Sequence, residues 1–66
     1  MNNLKNVFSN IKGIDTVKVD RDENMIFVYG NSKGVKEIIG IENQGFEINQ
    51  IECIGKDLYM MDIYVY

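Results

Sequence analysis

The side chains able to do chemistry in this chain are few. Ten carboxylates, four tyrosine phenols and one thiol, Cys53, stand against no histidine at all. Asp20, Asp22 and Glu23 crowd the short stretch "DRDEN", which raises the question of a cation site. They lack the spaced ligands and the glycine of a calcium loop, so a solvated turn accounts for them. Cys53 would need a base to act as a nucleophile, and with no histidine in the chain a buried structural thiol is the expectation. Glu47 and Glu52 are candidates for acid/base work, but no pocket can be built around them from the neighbouring residues. One thiol without histidine leaves zinc short of its nitrogen and sulfur ligands, and a lone cysteine excludes a disulfide within the chain. Neither enzymatic activity nor a cofactor or metal is expected.

What remains is a concentration of aromatic and thioether side chains. The closing stretch "LYMMDIYVY", residues 58–66, read as a strand sends Tyr59, Met61, Ile63 and Val65 to one face. Leu58, Met60, Asp62, Tyr64 and Tyr66 go to the other. Both faces are apolar, and a chain of 66 residues has the core for one. Domains this short bury only about 60% of their unfolded surface, so oligomerisation or a partner is the natural supplement to a thin core.

The elements that position these residues can be read from period and punctuation. Leu4, Val7, Phe8 and Ile11 fall at helical spacing in "NLKNVFSNIK", with Asn2 or Asn3 as cap and Gly13 at the C′ position. "DTVKVDRDENMIFVYG" reads as a hairpin with strands at 15–20 and 25–30. Val17, Val19, Ile26 and Val28 would face the core, and Met25, Phe27 and Tyr29 the other way. "NSKGVKEIIGIENQGF" is a second helix, capped by Asn31 or Ser32 and terminated by Gly45. Gly34 and Gly40 inside it each cost about 1 kcal/mol against alanine, so packing must hold it. A second hairpin follows, with strands at 47–54 and 58–66 around Gly55, Lys56 and Asp57. Ile48, Ile51 and Ile54 do not alternate cleanly there, which points to a bulge. The order αββαββ in a single domain, 1–66, suits an α+β two-layer sandwich: two helices on one face of a four-stranded antiparallel sheet.

Residues 4–48 resemble the later part of a heavy-metal-associated domain, the small ferredoxin-like module of copper chaperones and metal-pumping ATPases. "IKGIDTVKVD", "MIFVYG" and "VKEIIGIENQGFEI" carry the likeness, with Gly13, Ile14, Val17, Val19, Gly45 and Phe46 at matching positions. That family opens with a strand and a C-x-x-C metal loop, and this chain has neither, so no metal ligand carries over. The resemblance implies a circularly permuted ferredoxin-like fold, with 58–66 in the place of the missing strand. The strands would lie in the order 47–54, 58–66, 25–30, 15–20.

In that arrangement Met25, Phe27, Tyr29, Met60, Tyr64 and Tyr66 form one exposed interaction face. Asp20, Asp22, Glu23 and Asp62 form its expected acidic rim. Large exposed apolar patches mark partner surfaces, and Tyr and Met are favoured at interfaces, although an aromatic ladder can also simply stabilise a small sheet. Formal net charge is −3, which makes nucleic acid an unlikely partner, since such binders need a basic footprint. No apolar run approaches a membrane span, and "MNNLKNVFSN" has no signal-peptide pattern. With a free cysteine, the expected location is the cytoplasm. Abundant Asn, Ile, Lys, Tyr and Met, one arginine and no proline fit AT-rich coding sequence, as in a low-GC bacterium or its phages and mobile elements. The function expected is a small acidic module that binds a protein partner or itself, such as a phage or mobile-element inhibitor similar in size and charge to anti-CRISPR proteins. The alternatives are a metal- or small-ligand-binding relative of the metal-associated domains and a structural homodimer.

Overall fold

The strictest alternation in the chain, "MIFVYG", forms its most regular strand. A computed structural model describes residues 2–66. Its elements are α1 (Asn2–Ser9), β1 (Ile14–Asp20), β2 (Met25–Gly30), α2 (Ser32–Gly40), β3 (Phe46–Gly55) and β4 (Leu58–Val65). Within β2, Ile26 and Val28 are fully buried between half-buried neighbours, as period-two residues on a pleated sheet should be. All pairings are antiparallel, and the sheet order is β1-β2-β4-β3. That is the neighbour order anticipated from the sequence.

The helices form one layer. α1 packs on β1, and α2 lies across β2 and β4. Phe8, Val35 and Ile38 from this layer meet Ile26, Val28, Met61, Ile63 and Phe46 from the sheet in a single core. Phe8 and Phe46 pack edge to face, with ring centroids 5.1 Å apart and planes at 84°, a geometry that suits the ring quadrupoles.

Both helices are shorter than their apolar period. α1 ends at Ser9, and Ile11 donates its N–H to the Phe8 carbonyl in a tightened turn. Gly13 is therefore not the helix C′ residue. It lies four residues further on at φ 99°, and its carbonyl accepts the Asn31 N–H at 2.8 Å, tying the start of β1 to the start of α2. Likewise α2 stops at Gly40 rather than at Gly45: the C-cap residue Ile41 already departs from helical geometry, at φ −113° and ψ 14°, and Asn43 beyond it is left-handed, φ 79°, which no right-handed helix can pass through. Asn31 is the N-cap: its side chain accepts the Gly34 N–H at 3.1 Å. Ile11 and Ile41 continue the helical spacing because they still pack against the core from the turns.

The uneven isoleucines of β3 have a physical cause. The register against β4 shifts between Ile48 and Gln50, so Asn49 is the extra residue of a bulge. Ile48 stands opposite Ile63, and Ile51 opposite Met61. The Glu42 carboxylate accepts the Ile48 N–H at 2.8 Å, which protects the start of this edge strand.

Candidate interaction face

The sheet has one face without helices, and register alone assembles it. Across the strands, Thr16, Tyr29, Met60 and Glu52 form one row, and Lys18, Phe27, Asp62 and Gln50 the next. Asp20, Met25, Tyr64 and Glu47 form the third. The alternate residues of each strand are those packed into the core, so these rows belong to the other side. Met25, Phe27, Tyr29 and Met60 are half-buried by one another, and Tyr64 is 42% exposed. The structure thus gathers five of the six expected face residues on the two central strands.

The other expectations are placed differently. Tyr66 follows the end of β4, is 77% exposed, and donates its N–H to the Gly45 carbonyl. It extends beyond the last row. Asp22 and Glu23 lie in the turn after β1, where their N–H groups donate to the Asp20 side chain, the common use of Asp in turns. Asp62 is not at the rim. It lies mid-sheet, with Phe27 opposite on β2 and Gln50 opposite on β3. Its Oδ1 is buried and accepts no hydrogen bond from any described residue. Lys18, one position across from Phe27, places its ammonium 5.8 Å from the Tyr29 ring centroid, a cation–π distance.

Sequence reasoning missed the β3 column of the face. Glu47 and Glu52, considered above only as an acid/base pair, flank Gln50 and supply the β3 edge with carboxylates. The signal that finds them is the bulge: once Asn49 is removed from the count, Glu47, Gln50 and Glu52 share a face.

Cys53 departs from expectation. It is exposed, with its thiol against the Gly55 carbonyl at 3.2 Å. Its position opposite Tyr59 puts it on the helix-bearing side of the sheet. However, α2 lies over β2 and β4, and on the edge strand Ile51, Cys53 and Ile54 all stay exposed.

The opposite end of the β3–β4 hairpin is tied to the start of α2. Asp57 accepts the Ser32 N–H at 3.0 Å at the start of α2. That backbone hydrogen bond, followed by the Ser32 side chain and with a further contribution from Lys36, holds the Asp57 carboxyl below the usual carboxylate range against a small opposing desolvation. An open depression of about 530 Å³, lined by Ser32, Lys33, Lys36, Glu37, Gly40 and Ile41, runs along α2 and involves none of the open-face residues.

Among the described residues, no group of three or more His, Cys, Asp or Glu side chains is placed to hold a metal ion. No described helix is long and apolar enough to cross a membrane. Fold and face together define a small α+β sandwich with one bare, aromatic and acidic sheet surface. No protein-family model matches the chain, and no curated protein or solved structure gives a significant match.

Proposed function

We propose that this chain is a small, acidic, non-enzymatic interaction module that acts by occupying a protein partner's surface through the open sheet face. The observation that carries this reading is the contiguous set Met25, Phe27, Tyr29, Met60 and Tyr64 on the two central strands, with both helices committed to the other side. Large side chains with few rotatable bonds at the centre of a patch, ringed by polar groups, make good binding anchors. The αββαββ order with sheet order β1-β2-β4-β3 supports a circularly permuted ferredoxin-like arrangement. Small size, acidic balance and AT-rich residue usage support an inhibitor of a host protein, carried by a phage or mobile element and working in the cytoplasm.

The test is site-specific photo-cross-linking in cells of a low-GC bacterium expressing the protein. A benzophenone side chain at position 64 should yield discrete protein adducts. The same group at position 39, exposed on α2, should not. Equal patterns from both positions, or none from position 64, would remove the open face as the interaction surface.

A further inference from the structure

Charge is divided unequally between the two sides of the molecule. The open face holds Asp20, Glu47, Glu52 and Asp62 against a single base, Lys18. That is a net −3, the formal charge of the entire chain. The remaining six acids and six bases cancel. Within the helices the balance reverses, with Lys5, Lys33 and Lys36 against Glu37.

This asymmetry selects among the possible occupants of the face. A second copy stacked face to face would set −3 against −3. Nucleic acid would bring phosphates to the same surface, and its binding depends on neutralising them. A cationic protein surface meets no such penalty and gains long-range attraction as it approaches.

The centre of the face narrows the chemistry further. Asp62 is half-buried, with Phe27 across from it and Met60 and Tyr64 two residues away on its own strand. Its Oδ1 is shut away from solvent without a hydrogen-bond donor among the described residues, an unfavourable setting for a polar atom, and the side chain as a whole is only half-buried. A guanidinium suits this setting better than an ammonium. It is planar, weakly hydrated, stacks on aromatic rings, and presents several donors to a carboxylate.

Resting on the interaction reading above, we infer that the open face receives an arginine-bearing basic protein surface, with a guanidinium seated over Asp62 among Phe27, Tyr29 and Tyr64 and the outer acids meeting further cations. A protein whose own task is to hold an anionic polymer or substrate presents such a surface.

The experiment is fluorescence anisotropy with labelled octa-arginine and octa-lysine as probes, at several salt concentrations. The protein should bind octa-arginine at least about fivefold more tightly than octa-lysine, because only the former stacks as well as pairs. The Asp62→Asn/Glu52→Gln double variant should lose about tenfold of the octa-arginine affinity and show a shallower salt dependence. Glu37→Gln/Asp57→Asn removes the same charge away from the face, on α2 and at the tip of the β3–β4 hairpin, and should change affinity less than about twofold. Tyr64→Ala, at a site that is 42% exposed and outside the core, should reduce the preference for arginine more than it reduces octa-lysine binding.

Equal losses from the two charge-matched double variants, or no arginine preference, would overturn the inference. So would a solution mass that rises with concentration in the wild type but not in Tyr64→Ala, which would assign the face to a second copy. Adducts from position 64 in cells without arginine preference in vitro would leave the interaction module standing and remove only the basic partner.

Discussion

The two faces of this sheet are built from the same four strands, and both carry large apolar side chains on β2 and β4, yet they have opposite fates. On one, Ile26, Val28, Met61 and Ile63 are fully buried under Phe8, Val35 and Ile38. On the other, Phe27, Met60 and Tyr64 interleave with them residue by residue and remain accessible. The difference lies in the polar outer strands of the open face and in the kind of apolar residue at its centre. The covered face is mainly aliphatic and fits a dry core. The open face uses Tyr, Phe and Met, which tolerate water at one end and adapt to irregular partners. A sheet coated in this way is stable from one side and available from the other.

The sharpest way to break that comparison is to truncate neighbouring residues of β2 that point in opposite directions. Ile26→Ala leaves a cavity in a closed core and should lose about 3 kcal/mol. Domains of this size have roughly 3–10 kcal/mol in all, so the urea midpoint should fall steeply. Phe27→Ala leaves no enclosed cavity and should lose about 1 kcal/mol. Equal losses would mean that the open face is structural, a second core without a lid.

The next effect tests how the helix layer is seated. α2 approaches the β1 entrance so closely that a Cβ on Gly34 would lie 2.8 Å from the Gly13 carbonyl carbon and 2.7 Å from Ile14 Cδ1. Gly34→Ala should therefore destabilise by about 2 kcal/mol, despite alanine's better helix propensity, because backbone must move. At Gly40 nothing lies within 4 Å, and Gly40→Ala should stabilise by about 0.5 kcal/mol through propensity alone. Thermal midpoints that move in opposite directions would confirm this division. A gain at both positions would show that α2 rides loosely on the sheet.

These glycines also show where sequence reading succeeds and where it stops. Both appear as breaks in a helical pattern, and a period argument can price them only as lost propensity. That one of them is a contact and the other a vacancy depends on a chain segment twenty residues away. The open face was legible for a related reason. β2 and β4 pair without a bulge, so the strand period of two is enough to assign Met25, Phe27, Tyr29, Met60 and Tyr64 to one side. Glu47 and Glu52 could not, because the bulge at Asn49 shifts the parity of β3 midway. The exposed state of Cys53 was also hidden, since burial there depends on how far α2 reaches across the sheet. Helix ends were misjudged where Ile11 and Ile41 keep the apolar rhythm beyond the last helical residue.

A smaller effect sharpens the comparison at its most unusual point. Asp62→Asn keeps the side-chain volume, removes a charge from mid-sheet, and offers an N–H beside Gln50 and Phe27. A partly desolvated acceptor without a donor is unfavourable, so the folded state should gain about 0.5 kcal/mol, read as a higher urea midpoint, although the same variant weakens binding of the basic probe. Stability and binding moving in opposite directions is the signature expected where a binding residue is held at some cost to the fold. A loss of stability in Asp62→Asn would instead make Asp62 a structural residue.

The smallest effect joins the two faces. Asp57, at the tip of the β3–β4 hairpin, accepts the Ser32 N–H at the start of α2, where the positive end of a helix favours a carboxylate. Its carboxyl is held below the usual range chiefly by that backbone hydrogen bond. A carboxyl that is more acidic folded than unfolded contributes stability above its unfolded value, and loses it as pH falls through its folded value. Wild type should therefore exceed Asp57→Asn in urea midpoint at neutral pH, and the two should converge as pH drops below the ordinary carboxylate range. The contribution is small because Asp57 is exposed and its field is screened by water. Octa-arginine binding at neutral pH should be unchanged in this variant, since Asp57 is not among the open-face rows. A gap between wild type and variant that persisted at low pH would mean that the asparagine fails for reasons of shape rather than charge, and that the hairpin is held to the helix layer by packing alone.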